Sequence, residues 1–235
     1  MKGMNGFLTP SETEALVLSV KTAAAATLLN GIPALAGGWI MARRRFPGKA
    51  LAEGLLLLPL ILPPVTTGYL LLLLFGRKGP LGSVLFNLAG IRLPFSWEGA
   101  VLASMIVSFP LFVRSVRLAM EMTDPGLEAA SRVLGRGPAG TFFRITVPLA
   151  LPGIIGGAVL CFARALGEFG ATITFAGNMA GRTRTLPLAI HSALQTPGGD
   201  GESIRLTLLS VILALAAVVL SEILQKRFSG FRGTA

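Results

Sequence analysis

Side chains that carry chemistry are scarce in this chain. It has one cysteine, Cys161, and one histidine, His191, so an intrachain disulfide is excluded and a His/Cys metal site cannot be assembled from one copy. No Ser-His-Asp arrangement surrounds the lone histidine, and no Gly-x-x-x-x-Gly-Lys-Ser/Thr phosphate loop occurs. His191 reads as a surface or packing residue, and Cys161, inside an apolar run, as a packing one. Charge is scarce as well: 14% of residues are Asp, Glu, Lys or Arg, against about a quarter in soluble domains, while 52% are hydrophobic.

Acidic residues are the rarer sign, 11 against 21 basic ones, for a formal net charge of +10. That excess does not point to nucleic acid, because the basic residues sit in short segments between apolar runs with no aromatic-basic recognition module. Anchoring at a membrane surface accounts for it, with the lipid bilayer as the chain's surroundings. The N-terminus has Lys2 and then a polar stretch over 9–14, without the charged-then-apolar layout of a cleaved signal peptide, so the first apolar run is expected in the mature protein.

Crossing about 30 Å of hydrocarbon takes about 20 helical residues at 1.5 Å each, and five runs are long enough. They predict an all-α integral membrane protein with spans near 15–42, 55–75, 99–120, 147–172 and 205–225. Segment 1–13 lies before this transmembrane domain of 14–226, and a tail of 227–235 follows it. Pro59, Pro63 and Pro64 should kink or unwind the second run. Arg114 and Arg117, three apart at the end of the third, can snorkel to the interface. Gly153 and Gly157 in the fourth form a small-residue packing face. Residues 186–196 suit a short surface helix. Arg43, Arg44, Arg45, Lys49, Arg132, Arg136 and Arg144 fall on one side of the membrane together with the C-terminal basic residues. The fewer basic residues of the other side include Arg77, Lys78, Arg92, Arg182 and Arg184, so the N-terminus is expected outside and the C-terminus in the cytoplasm.

The loop over 123–146 is the most informative segment. Asp124 is placed as an N-cap with Pro125 at the first helical position, Gly135 as a left-handed terminator, and Pro138 as the start of a second short helix. The residues alone describe a helix-turn-helix at the membrane surface and leave open whether it docks a partner or is an ordinary hairpin. Glu128 can pair with Arg132 one turn on, or with a cation on a partner.

Glu128-Ala129-Ala130, then Gly135, then Ile145-Thr146-Val147-Pro148 resemble the signature loop of binding-protein-dependent ABC import permeases, with Val147 where that family usually has leucine. The resemblance covers nearly the whole chain. It implies a type I ABC importer permease core in which Glu128, Ala129, Ala130, Gly135, Arg136 and Gly137 belong to a coupling helix that docks on an ATPase. Phe162-Ala163-Arg164-Ala165-Leu166-Gly167-Glu168-Phe169-Gly170-Ala171-Thr172-Ile173-Thr174-Phe175 is similar to the oxyanion branch of that family. Thr183-Arg184-Thr185-Leu186-Pro187 and Gln195-Thr196-Pro197-Gly198-Gly199 are similar to its molybdate members, with sulfate and tungstate permeases as close neighbours.

By that resemblance the chain is a transport subunit and not an enzyme. It binds no cofactor itself, ATP and magnesium belonging to a partner ATPase dimer, and it works with a second copy of itself and an external molybdate-binding protein. Polarity nominates Thr66, Thr67, Ser104, Ser108, Thr172 and Thr174 for the pathway, with Arg164 and Glu168 as an intramembrane ion pair or an anion contact. A secondary transporter should show internal repeats with paired broken helices, which the sequence does not reveal. A membrane enzyme would have only Arg164 and Glu168 as titratable groups.

Overall fold

The computed structural model describes residues 8–229, which hold helices and no strand. Helix α1, Pro10–Arg43, starts where Thr9 caps it: the Thr9 side chain accepts from the Glu12 N–H while Glu12 reaches back to the Thr9 N–H, with Pro10 at the first position. Then follow α2 (Lys49–Ile61), α3 (Pro64–Phe75), α4 (Pro80–Ala89) and α5 (Trp97–Glu121). Helices α6 (Pro125–Val133) and α7 (Pro138–Thr141) form a hairpin, and a π-helical turn (Phe142–Thr146) leads into α8 (Val147–Leu166). Helices α9 (Gly170–Phe175), α10 (Leu186–Leu194) and α11 (Asp200–Ser229) complete the described chain. Among the described residues four helical stretches are long and apolar enough to cross a membrane, and α2 with α3, bent by 110°, make a fifth if the pair is one span.

Small side chains set how the spans pack. Ala34 of α1, Val116 of α5 and Ala150 of α8 share one core cluster; Ala23, Val101 and Leu166 share another. Position rises between the clusters along α1 and α5 and falls along α8, so α1 and α5 run in one direction and α8 returns. A Cβ on Gly153 would run into the Ala119 Cβ, and one on Gly157 would meet the Ser115 Cβ at 2.7 Å. The glycine face expected in the fourth run is therefore real, and it receives α5 of the same chain.

The second span starts earlier than expected and breaks where its prolines predict, while the fourth departs from the sequence expectation. The second begins at Lys49 and breaks at Leu62 and Pro63, both extended (ψ 146° and 131°). Each precedes a proline, whose ring disfavours helical backbone in the residue before it, and Pro64 opens the next helix. The fourth, expected to be continuous to 172, ends at Leu166 and resumes at Gly170. There the Glu168 carboxylate accepts the Ala171 N–H at 2.8 Å, while a Cβ on Gly170 would stand 2.6 Å from that of Pro64. Helices α3 and α9 thus lie side by side and parallel, Gly68 against Ala171 and Thr174 farther along. The break between α8 and α9 was not read in the sequence.

The other boundaries shift modestly. The first span starts at Pro10, the third runs over Trp97–Glu121, and the last starts at Asp200 and continues to Ser229, into the segment expected as tail. The short helix expected over 186–196 is α10, but it is packed against α1 and α11 with Leu186, Leu188 and Ala189 buried, and so is not the surface helix expected. Arg114 is exposed, but Arg117 is spent within the protein, 2.7 Å from Glu53 of α2 and 2.7 Å from Glu121, so it fastens α2 to α5. At the opposite end, Arg205 of α11 holds Glu12 of α1 at 2.7 Å.

Candidate functional site

The hairpin of α6 and α7 is built as its residues dictate. Asp124 caps α6 by accepting the Gly126 N–H at 2.8 Å, with Pro125 following. Gly135 adopts φ +85°; its N–H donates to the Arg132 carbonyl and the Arg136 N–H to that of Ser131, the paired bonds of a left-handed helix end. Exposed Arg136 and Gly137 cross the turn, and Pro138 opens α7. The Ser131 and Thr141 hydroxyls, 3.2 Å apart, bind the two arms together.

Helix α6 has two unlike faces. Glu128 and Ser131 are buried, whereas Ala129 and Ala130 are exposed beside Leu127, Val133 at 87% and Leu134 at 83% exposure. Large apolar side chains stand open there, next to alanines small enough to let another backbone come close. Glu128 faces the other way. Its Oε1 accepts from Arg43 Nε (3.1 Å), Arg43 Nη2 (2.8 Å) and the Thr146 hydroxyl (2.9 Å). Arg132, the partner expected one turn on, stands 4.0 Å from Oε2 and donates instead to the Glu128 backbone carbonyl.

The membrane interior separates the other candidates. Arg164 and Glu168 are joined at 2.8 Å, and with its second oxygen on the Ala171 N–H the buried Glu168 carboxylate is satisfied on both sides. Ser104, Ser108, Thr67 and Thr172 are buried, Thr66 is exposed, and half-buried Thr174 donates to the Gly170 carbonyl. Ser108 belongs to a packing network: its hydroxyl donates to the Ser104 carbonyl at 2.6 Å and accepts from Asn30 and from Cys161. The Thr67 and Thr172 hydroxyls have no hydrogen-bond partner among the described residues. Sequence reasoning missed Asn30, which donates to the Met105 carbonyl at 3.0 Å across α1 and α5. The signal was available, since an amide inside an apolar span must find a partner. It also missed the pairing of Arg43 and Thr146 with Glu128, for which local spacing offers no signal. His191 meets the Phe169 ring edge-on at 5.0 Å, a packing contact.

Residues 34–230 match the family model for the binding-protein-dependent transport system inner membrane component. The chain is 51% identical to the Molybdenum transport system permease protein of Escherichia coli K12, over 92% of this chain and 94% of that one. It is 46% identical to its namesake in Mycobacterium tuberculosis H37Rv (90% and 79% covered). It is 37% identical to a Sulfate transport system permease protein of Synechocystis (91% and 76% covered). The fold is similar to that of a methionine ABC transporter in an inward-facing conformation, with TM-score 0.67, 17% identity, and 94% and 99% of the chains covered. It is also similar to a bacterial alginate ABC transporter, with TM-score 0.75, 14% identity, and 95% and 81% covered.

Proposed function

The chain belongs to the family of binding-protein-dependent transport system inner membrane components, and we propose that it is the permease subunit of an ATP-driven importer whose cargo is molybdate. ATP is hydrolysed by a separate subunit, so this chain carries no catalytic site of its own. The cargo reading rests on the molybdenum permeases among its relatives, at 46% and 51% identity over nine-tenths of the chain.

The observation that carries the mechanism is the outward face of α6. Leu127, Val133 and Leu134, with Ala129 and Ala130 between them, form an exposed apolar helix face on a hairpin outside the spans. Burying one such large side chain in a groove is worth about 1.5–3 kcal/mol, so three can anchor a partner. In this reading the partner is the ATPase dimer and the hairpin is cytoplasmic, which places the N-terminus outside. ATP binding draws the two ATPases together, and the hairpins carry that movement into the spans. An external molybdate-binding protein delivers the anion, and two copies of this chain enclose the route. The absence of any buried residue in α2 within one chain suits burial between copies.

The test is Leu134→Asp, which puts a charge on the docking face without touching the spans. The ATPase should fail to copurify with this variant while the protein remains in the membrane, and uptake of radiolabelled molybdate should be lost. Normal assembly and normal uptake would overturn the docking assignment. Competition of labelled molybdate by tungstate and sulfate reads the cargo directly; a stronger effect of sulfate than of unlabelled molybdate would make this a sulfate permease.

A further inference from the structure

The hairpin is covalently continuous with α5 through Met122 and Thr123 and with α8 through the π-helical turn, but not with α1. Beside the edge-on contact of Trp39 with Phe142 at the start of that turn, the polar link from α1 to the hairpin among the described residues is one side chain. Arg43, the last residue of α1, directs Nε and Nη2 onto Glu128 Oε1, and Nη2 also donates to the Thr123 carbonyl at 3.2 Å, where the hairpin leaves α5. The same Glu128 oxygen accepts the buried Thr146 hydroxyl from the π-helical turn. One carboxylate oxygen thus holds groups from α1 and from the entry to α8, while its own backbone belongs to α6.

We infer that Arg43 is a positioning residue for transport: it locks the end of α1 to the coupling hairpin, so that the hairpin, α1 and the start of α8 move as one body when the ATPase moves. This rests on the reading of the hairpin as the ATPase dock. A hairpin held only at its two covalent ends can swivel about them, and a docking movement is then spent in the swivel. Charge-assisted hydrogen bonds are short and directional, and burial strengthens them. Glu128 is 8% exposed, and its Oε1 takes the hydrogen bonds of both Arg43 and Thr146. It serves the protein's interior while its alanine neighbours serve the partner. Helix α1 then takes the movement to the far side of the membrane, where Glu12 near its start is held by Arg205 of α11. The relay is a rod with an arginine–carboxylate clamp at each end.

The experiment uses the complete transporter, with ATPase and binding protein, in proteoliposomes, and reads molybdate taken up per ATP hydrolysed for wild type, Arg43→Ala, Arg43→Lys and Thr146→Val. Copurification of the ATPase is scored in parallel. Arg43→Ala should retain the ATPase, because the docking face is intact, yet lose at least tenfold in uptake per ATP. Arg43→Lys, which keeps the charge but cannot span Glu128 and the Thr123 carbonyl together, should recover part of that loss. Thr146→Val should fall between wild type and Arg43→Ala. Uptake per ATP within twofold of wild type in Arg43→Ala overturns the inference. So does a loss of uptake that tracks loss of ATPase or of protein from the membrane across all three variants, since the clamp would then only hold the fold. A wild-type chain that fails to retain the ATPase would instead sink the function it rests on, and Leu134→Asp separates the two cases.

Discussion

A carboxylate in an apolar interior depends on its partners, and removing one from a buried pair costs about 3–5 kcal/mol. Glu168 is such a group, held by Arg164 at 2.8 Å and by the Ala171 N–H. Arg164→Ala is therefore expected to lower the thermal midpoint of the purified protein well below that of Glu168→Gln, whose amide oxygen still accepts from Ala171. Equal midpoints would mean that the pair adds nothing to packing. Gly135 makes a different demand: at φ +85° any Cβ is strained, and Gly135→Val should cost about 1–2 kcal/mol. A Cβ there would meet nothing within 4 Å, so the cost is conformational and local. The expected readout is reduced retention of the ATPase with normal protein levels in the membrane; unchanged retention would show that the turn tolerates the strain. Gly135, Asp124 and Pro125 were legible because caps act within a few residues. The inward aim of Glu128 was not, because Arg43 lies 85 residues away in sequence.

Several helix contacts in this molecule close on a glycine, so element-scale predictions fall on glycines. Gly157 receives Ser115 and Phe112 of α5; Gly68 of α3 lies against Ala171 and Thr174 of α9. Gly157→Leu and Gly68→Val should each overpack a closed contact and cost about 1–3 kcal/mol, read as a lower midpoint in detergent. Gly54→Ala on α2 is the control, with nothing within 4 Å of its added carbon; a loss there as large as at Gly68 would contradict the packing account. The break in the second span was written in Pro63 and Pro64, since proline acts on its own backbone and on the residue before it. Nothing comparable marks the break at Gly167, Glu168 and Phe169. It depends on Pro64 lying against Gly170 and on a side chain that accepts a backbone N–H, both products of folding, and a hydropathy run cannot register them.

On the scale of the whole molecule, Arg43 and Glu128 meet at one end of the bundle while Glu12 and Arg205 meet at the other. Burial distinguishes the outward face of the hairpin from its inner one in a way that composition cannot: Val133 and Leu134 read as ordinary apolar residues in the sequence, and only the folded hairpin shows them open. The signature spacing in the loop made the family legible, yet the hydroxyls nominated by polarity turned out mostly buried or bonded within the chain. The proposed orientation predicts that a reporter fused to the C-terminus is active only in the cytoplasm, and activity confined to the outside would invert the arrangement. The measurement that bears most directly on the central claim is uptake of radiolabelled molybdate into proteoliposomes holding this chain with its ATPase and binding protein, with and without ATP, for wild type and Leu134→Asp. Accumulation that requires ATP and disappears in Leu134→Asp together with the bound ATPase is the predicted result; accumulation without ATP, or unaltered in a variant that no longer holds the ATPase, would contradict it.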